Sequence, residues 1–93
     1  MVKIGKFDYE LSTAKGKKLM TKVNGKTIHF GQDGYEHFKD KTGLLPKSLN
    51  HNDPKRRQNY LSRTANIKDG LGKLTRNNPN SPNYHSRKIL WNA

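Results

Sequence analysis

Apolar and polar residues alternate along the first third of the chain and recur at helical intervals in later stretches. In residues 2–11, VKIGKFDYEL, the apolar sets are Val2 and Ile4, then Phe7, Tyr9 and Leu11, which predicts one strand kinked at Gly5. Residues 12–17, STAKGK, read as a flexible polar link. The clearest local signal is Lys18–Phe30, where KLMTKV and KTIHF flank Asn24-Gly25, the preferred pair for a two-residue type I′ turn. Pairing Val23 with Lys26 sets Thr21 opposite Ile28 and Leu19 opposite Phe30. One face then holds Leu19, Val23, Ile28 and Phe30, and the other holds Met20, Lys22, Thr27 and His29. A lone hairpin is barely stable in water, so the apolar face is expected to pack on a helix.

Three further stretches carry helical spacing. Tyr35–Lys41, YEHFKDK, predicts two turns that offer Tyr35 and Phe38 to the hairpin, with Gly43 as the stop. Leu44 and Leu45 are expected to plug the core before Pro46. The central stretch His51–Arg63, HNDPKRRQNYLSR, starts as a turn and becomes a helix from Pro54 to about Ala65. Asp53 suits the N-cap, where its carboxylate accepts from an orphan backbone N–H, and Pro54 suits the first helical position. Residues 66–80 predict an irregular basic loop anchored by Ile67, Leu71 and Leu74. Ser81-Pro82 then repeats the cap-and-proline grammar and opens a last helix, Pro82–Trp91, whose terminal ILW reads as a core anchor. The expected fold is α+β: a small single domain over 1–93, with a β-hairpin packed by two or three short helices. Its parts are an N-terminal strand or arm (1–17), the hairpin and central helix (18–65), the loop (66–80) and the C-terminal helix (81–93).

Composition narrows the stability margin. Leu, Ile, Val and Phe number eighteen of 93 residues, and the net charge is +12, values at the edge of the disordered class. The sharp turn and cap signals argue for a real fold, one expected to be marginal and to lean on a partner. Cysteine is absent, which excludes disulfides and thiolate metal sites. No apolar run approaches the ~18 residues of a membrane span, and MVKIGKFDYE lacks the apolar region of a signal peptide. A soluble, non-exported chain with no membrane contact is expected.

Charge points to the partner. Residues 1–46 carry nine basic and five acidic groups, whereas 47–93 carry ten and two, and all five arginines lie in the second part. Arginine binds phosphate and carboxylate bidentately, so a polyanion face is expected there. On the central helix Arg56, Tyr60 and Arg63 share a stripe at i, i+4 and i+7, with Arg57 and Leu61 on the neighbouring stripe. Such a stripe can grip phosphates and stack on a ring; the plainer reading is a solvated face with Tyr60 half-buried. The expected contacts to nucleic acid or an acidic partner are Lys55, Arg56, Arg57, Arg63, Arg76, Arg87 and Lys88, with Tyr60 stacking.

Catalytic signatures are weak throughout. His29, His37, His51 and His85 stand 8, 14 and 34 residues apart, which is no ligand spacing on one element. His51-Asn52-Asp53 uses the letters of metal-dependent nucleases, but adjacent residues of this kind more simply make a turn feeding a helix cap. KDGLGKLT lacks the phosphate-loop spacing, and nothing in spacing supports a triad of Ser86, His85 and Asp69. The expectation is a non-enzymatic protein without cofactor, metal or small-molecule substrate.

Taken together, NGKTIHFGQDGYEHFKD, HNDPKRRQNYLSR and NSPNYHSRKILW resemble an uncharacterised family of small basic proteins of large DNA viruses and phages. Members read along the lines of GKxIxFG, an HKDxxRKxxYxxRH helix and a terminal TAGFWSRWLLW-like segment. Gly25, Lys26, His29 to Gly31 and Tyr35 match the first block. His51, Asp53, Arg56, Tyr60 and Arg63 match the second, and Tyr84, Ser86, Arg87, Leu90 and Trp91 the third. An insertion around Thr42–Asn50, Thr64 in place of a histidine, Pro82-Asn83 in place of Ala-Gly, and His85 and Lys88 in place of aromatics depart from that pattern. The resemblance implies a viral origin more than a mechanism. The expected protein is a non-enzymatic, virion-associated structural one (minor capsid, cement or tail component). It would be located in the virion, and in the host cytoplasm during assembly, packed on other virion proteins or the genome. The alternative is a sequence-independent DNA- or RNA-binding module, and a metal-dependent nuclease is the remote one.

Overall fold

The computed structural model describes all residues from Met1 to Ala93. The hairpin forms as its pattern requires. Strands β3 (Lys17–Val23) and β4 (Lys26–Gln32) pair with Val23 opposite Lys26, Thr21 opposite Ile28 and Leu19 opposite Phe30. Asn24 and Gly25 both take positive φ, 51° and 80°, as a type I′ turn demands. Leu19, Thr21, Val23, Ile28 and Phe30 are all buried.

The N-terminal segment is not one kinked strand but a second hairpin. β1 (Val2–Ile4) folds back on β2 (Phe7–Leu11) with Ile4 opposite Phe7, and Gly5, at φ +63°, takes the first turn position. Glycine there opens a two-residue turn rather than bending a continuing strand. β2 then pairs with β3, Tyr9 opposite Thr21, to complete a four-stranded antiparallel sheet in the order β1-β2-β3-β4. The polar link before β3 is a closed turn in which Lys17 N–H donates to Ala14 O and Ala14 N–H to Ser12 Oγ.

Two capped helices follow. α1 (Pro54–Thr64) starts at Asp53, whose carboxylate accepts from Lys55 N–H at 3.0 Å and Arg56 N–H at 3.4 Å. α2 (Pro82–His85) starts at Ser81 and runs into a π-wound segment, Ser86–Leu90. It is this C-terminal unit, not α1, that covers the sheet. Ile89 and Leu90 close on Tyr9, Leu19 and Phe30, with Ile4, Phe7, Leu44, Leu45 and Trp91 packed around them. Full burial of a side chain such as Leu19, Phe30, Ile89 or Leu90 contributes about 1.5–3 kcal/mol. Gly31 makes the docking feasible, because a Cβ there would stand 2.8 Å from Leu90 Cδ1. His85, fully buried among Phe7, Tyr9 and Phe30, donates from Nε2 to Pro79 O (2.7 Å) and accepts the Tyr9 hydroxyl at Nδ1 (2.9 Å).

Tyr35–Lys41 is extended rather than helical. Lys39 and Lys41 N–H donate to Leu90 O and Ile89 O, while His37 pairs with the 49–51 segment through His37 N–H to Leu49 O and His51 N–H to His37 O. The carbonyls ending the π-wound segment need donors, and an extended strip supplies them where a two-turn helix would keep its own. Asp40 ties the following turn by accepting from Thr42 N–H, the Thr42 hydroxyl and Leu45 N–H. Of the three anchors expected in the 66–80 loop, only Leu74 is half-buried. Ile67 and Leu71 are exposed, and Asp69, accepting from Leu71 and Lys73 N–H, organises the turn in place of apolar anchors. The radius of gyration, 12.6 Å, matches the ~12 Å of a compact chain of this length. The architecture is thus an α+β single domain, and no helix is long and apolar enough to cross a membrane.

Candidate functional site

The helical stripes of α1 divide its basic residues into two groups. On the inward side, Arg57 donates from Nε to Trp91 O at 3.0 Å and from Nη2 to Asn92 O at 2.8 Å. Tyr60 lies flat on Trp91, ring centroids 4.0 Å apart and planes 7° apart, and its hydroxyl meets Ser86 Oγ at 3.0 Å. From the other side of the interface Arg87 donates to Leu61 O (2.7 Å) and the Thr64 hydroxyl (2.6 Å). Arg57 and Arg87, expected on a polyanion face, therefore clamp α1 to the C-terminal segment. Tyr60, expected to stack on a partner's ring, already stacks on Trp91. The clamp uses neutral oxygens, so neither arginine has a carboxylate partner.

Arg56 and Arg63 stay exposed and border a cleft of about 510 Å³ between α1, α2, the end of β4 and the extended strip. Arg56 pairs with Glu36 at 3.0 Å, the single ion pair of the protein. Arg63 stands 5.6 Å from the Tyr60 ring centroid. Lys55 and Arg76 are exposed on other parts of the surface, and Lys88 lies over the Tyr84 ring at 5.1 Å. Of the eight residues singled out by pattern, only Arg56, Tyr60 and Arg63 share one site.

At the floor of the cleft stands a residue that pattern reasoning missed. Lys18 is 6% exposed, its ammonium donating to His37 Nδ1 at 3.0 Å and to Tyr35 O. The geometry sets the proton positions. Asn50 Oδ1 accepts Asp40 N–H (3.0 Å), so it is also the acceptor for His37 Nε2–H at 2.7 Å, which leaves Nδ1 to accept from Lys18. Burial lowers the Lys18 pKa, while the carboxylates of Asp33, Asp40 and Glu36 pull it back without touching the ammonium. Burial, then the Lys18 charge, lowers His37. The pair is a lysine amino group donating to the free Nδ1 of the imidazole. Its one sequence signal was Gly31 inside a strand, because the Lys18 stem crosses the space a side chain there would fill, with Cβ 3.2 Å from it.

The His51-Asn52-Asp53 tripeptide makes a cap. His51 Nδ1 accepts Asp53 N–H at 2.9 Å while the ring packs near Trp91 and Phe38, and no three His, Asp or Glu side chains gather as metal ligands. Among known proteins, no family model, curated protein or solved structure matches this chain.

The seven acids of the chain explain its field. Asp33, Asp40, Asp53 and Asp69 accept backbone N–H groups of their own turns and caps. Sixteen of the nineteen lysines and arginines are exposed, and one of them is ion-paired. These four carboxylates stabilise local structure, and the positive charge remains unbalanced.

Proposed function

We propose that this protein is a non-enzymatic structural module that seats on a polyanion, nucleic acid first of all, through charge spread over its whole surface. The observation that carries the reading is the contrast between sixteen exposed cations and a single ion pair. Lys3, Lys22, Lys47 and Lys68 are exposed on different parts of the chain, so the field is not confined to one element. Such a distribution suits a protein surrounded by phosphates. Contacts of this kind position a protein without reading sequence. The resemblance in the three sequence blocks implies a viral origin, and the setting we propose is a minor structural protein of a virion packed on its genome and neighbouring chains.

The test is affinity for mixed-sequence duplex DNA between about 50 and 200 mM salt, with Arg56→Ala/Arg63→Ala beside wild type. Affinity should fall steeply with salt, ignore sequence and weaken in the variant. Weak binding indifferent to salt and substitution would overturn the reading and leave an acidic protein surface as the partner.

A further inference from the structure

Lys18 poses a physical problem that its hydrogen bonds only partly resolve. An ammonium has three donors, and two are taken by His37 Nδ1 and Tyr35 O. No carboxylate lies within 4.0 Å, so a nearly inaccessible charge stands on neutral acceptors alone. A buried, unpaired charge is strongly unfavourable, and an anion joining it relieves that cost. Lys18 and its partners Tyr35 and His37 line a cleft together with two further cations, Arg56 and Arg63, and one carboxylate, Glu36. By contrast, the cavity on the outer face of the sheet sets Lys6 and Lys22 against Asp8 and Glu10 and carries no net charge from them.

We propose that this cleft is a phosphomonoester site, which takes the phosphate of a nucleotide on Lys18 and Arg63, with Arg56 exchanging Glu36 for the phosphate. Its volume, about 510 Å³, lies in the range of small-ligand sites. Gln32 borders it as a neutral hydrogen-bonding group, and Tyr35, 62% exposed at the rim, offers a ring to a base. Glu36 acts as a resident stand-in for the anion, holding Arg56 at the mouth until phosphate arrives. The inference rests on the buried ammonium and the cleft, not on the surface field, and each stands or falls separately.

Calorimetric titration with deoxyadenosine 5′-monophosphate and with deoxyadenosine tests it, at about 150 mM salt, where exposed charges are screened beyond ~8 Å. The nucleotide should bind and the nucleoside should not. Arg63→Gln should weaken binding by about tenfold or more, and Glu36→Gln should tighten it several-fold. Asp8→Asn adds the same unit of positive charge on the outer face of the sheet and should change nothing. Lys18→Met should abolish binding; if it fails to fold, the exposed Arg63 and Glu36 variants carry the test. Equal binding of nucleoside and nucleotide, wild-type affinity in Arg63→Gln, or equal tightening by Asp8→Asn and Glu36→Gln would overturn the site. A 5′-phosphorylated oligonucleotide binding more tightly than its hydroxyl twin would place the phosphate at a strand end; equal binding of the twins would assign it to free nucleotide. The duplex titration on wild type is unaffected by failure here.

Discussion

Arg87 and Arg63 carry the same charge on one small basic protein, and the structure assigns them opposite roles. Replacing Arg87 by Met keeps the stem and removes two hydrogen bonds, to Leu61 O at 2.7 Å and the Thr64 hydroxyl at 2.6 Å. Hydrogen bonds from charged donors contribute about 1.5–3 kcal/mol each. The second is discounted because Thr64 still donates to Tyr60 O at 2.8 Å, so Arg87→Met should lose about 2–4 kcal/mol. A domain of this size holds roughly 5–14 kcal/mol in all. With a urea slope near 1 kcal/mol per molar, the midpoint should fall by about 2 M or more. Arg63→Gln gives up only a partner ring 5.6 Å away and should lose about 0.5 kcal/mol. Fluorescence of Trp91, the sole tryptophan and stacked on Tyr60, reports both transitions. Duplex affinity should move the other way, falling in Arg63→Gln and staying within about twofold in folded Arg87→Met. Equal midpoints for the two variants would refute the division into clamp and surface arginines.

Gly31→Ala should destabilise by about 2–4 kcal/mol, since the methyl meets Leu90 Cδ1 at 2.8 Å and φ is +77°; a wild-type melting temperature would refute this packing. Acid should also weaken the fold. Burial holds His37 and His85 below the ordinary histidine range, so the unfolded chain takes up protons near pH 6.5 that the folded chain refuses. Their contribution is complete above that pH and is lost as pH falls below it, by at most about 1.4 kcal/mol per unit for each ring. Urea midpoints at pH 7.5 and 5.5 should differ accordingly, and identical midpoints would show that the rings titrate normally.

What the chain determined by itself was everything set by neighbours in sequence. Asn24-Gly25 closes the hairpin because only positive φ satisfies its turn, and period-two alternation then places Leu19, Val23, Ile28 and Phe30 on one face. Asp53-Pro54 and Ser81-Pro82 start helices because cap and proline act within three residues. The α+β class follows from those elements. Where the chain misled, a distant partner outweighed local preference. Helical spacing in Tyr35–Lys41 yields to the unsatisfied carbonyls of Ile89 and Leu90. The fold-back at Gly5 is local by contrast, a two-residue turn hidden inside the alternating pattern. Charge shows the same limit. Sequence counts arginines and places Arg56 and Arg63 on a stripe, but only the tertiary structure separates these two from Arg57 and Arg87, whose partners lie 23 to 35 residues away. Lys18, His37 and Asn50 meet because the sheet end and the extended strip are both held by the C-terminal segment. No local pattern encodes a contact whose members are brought together by a third element.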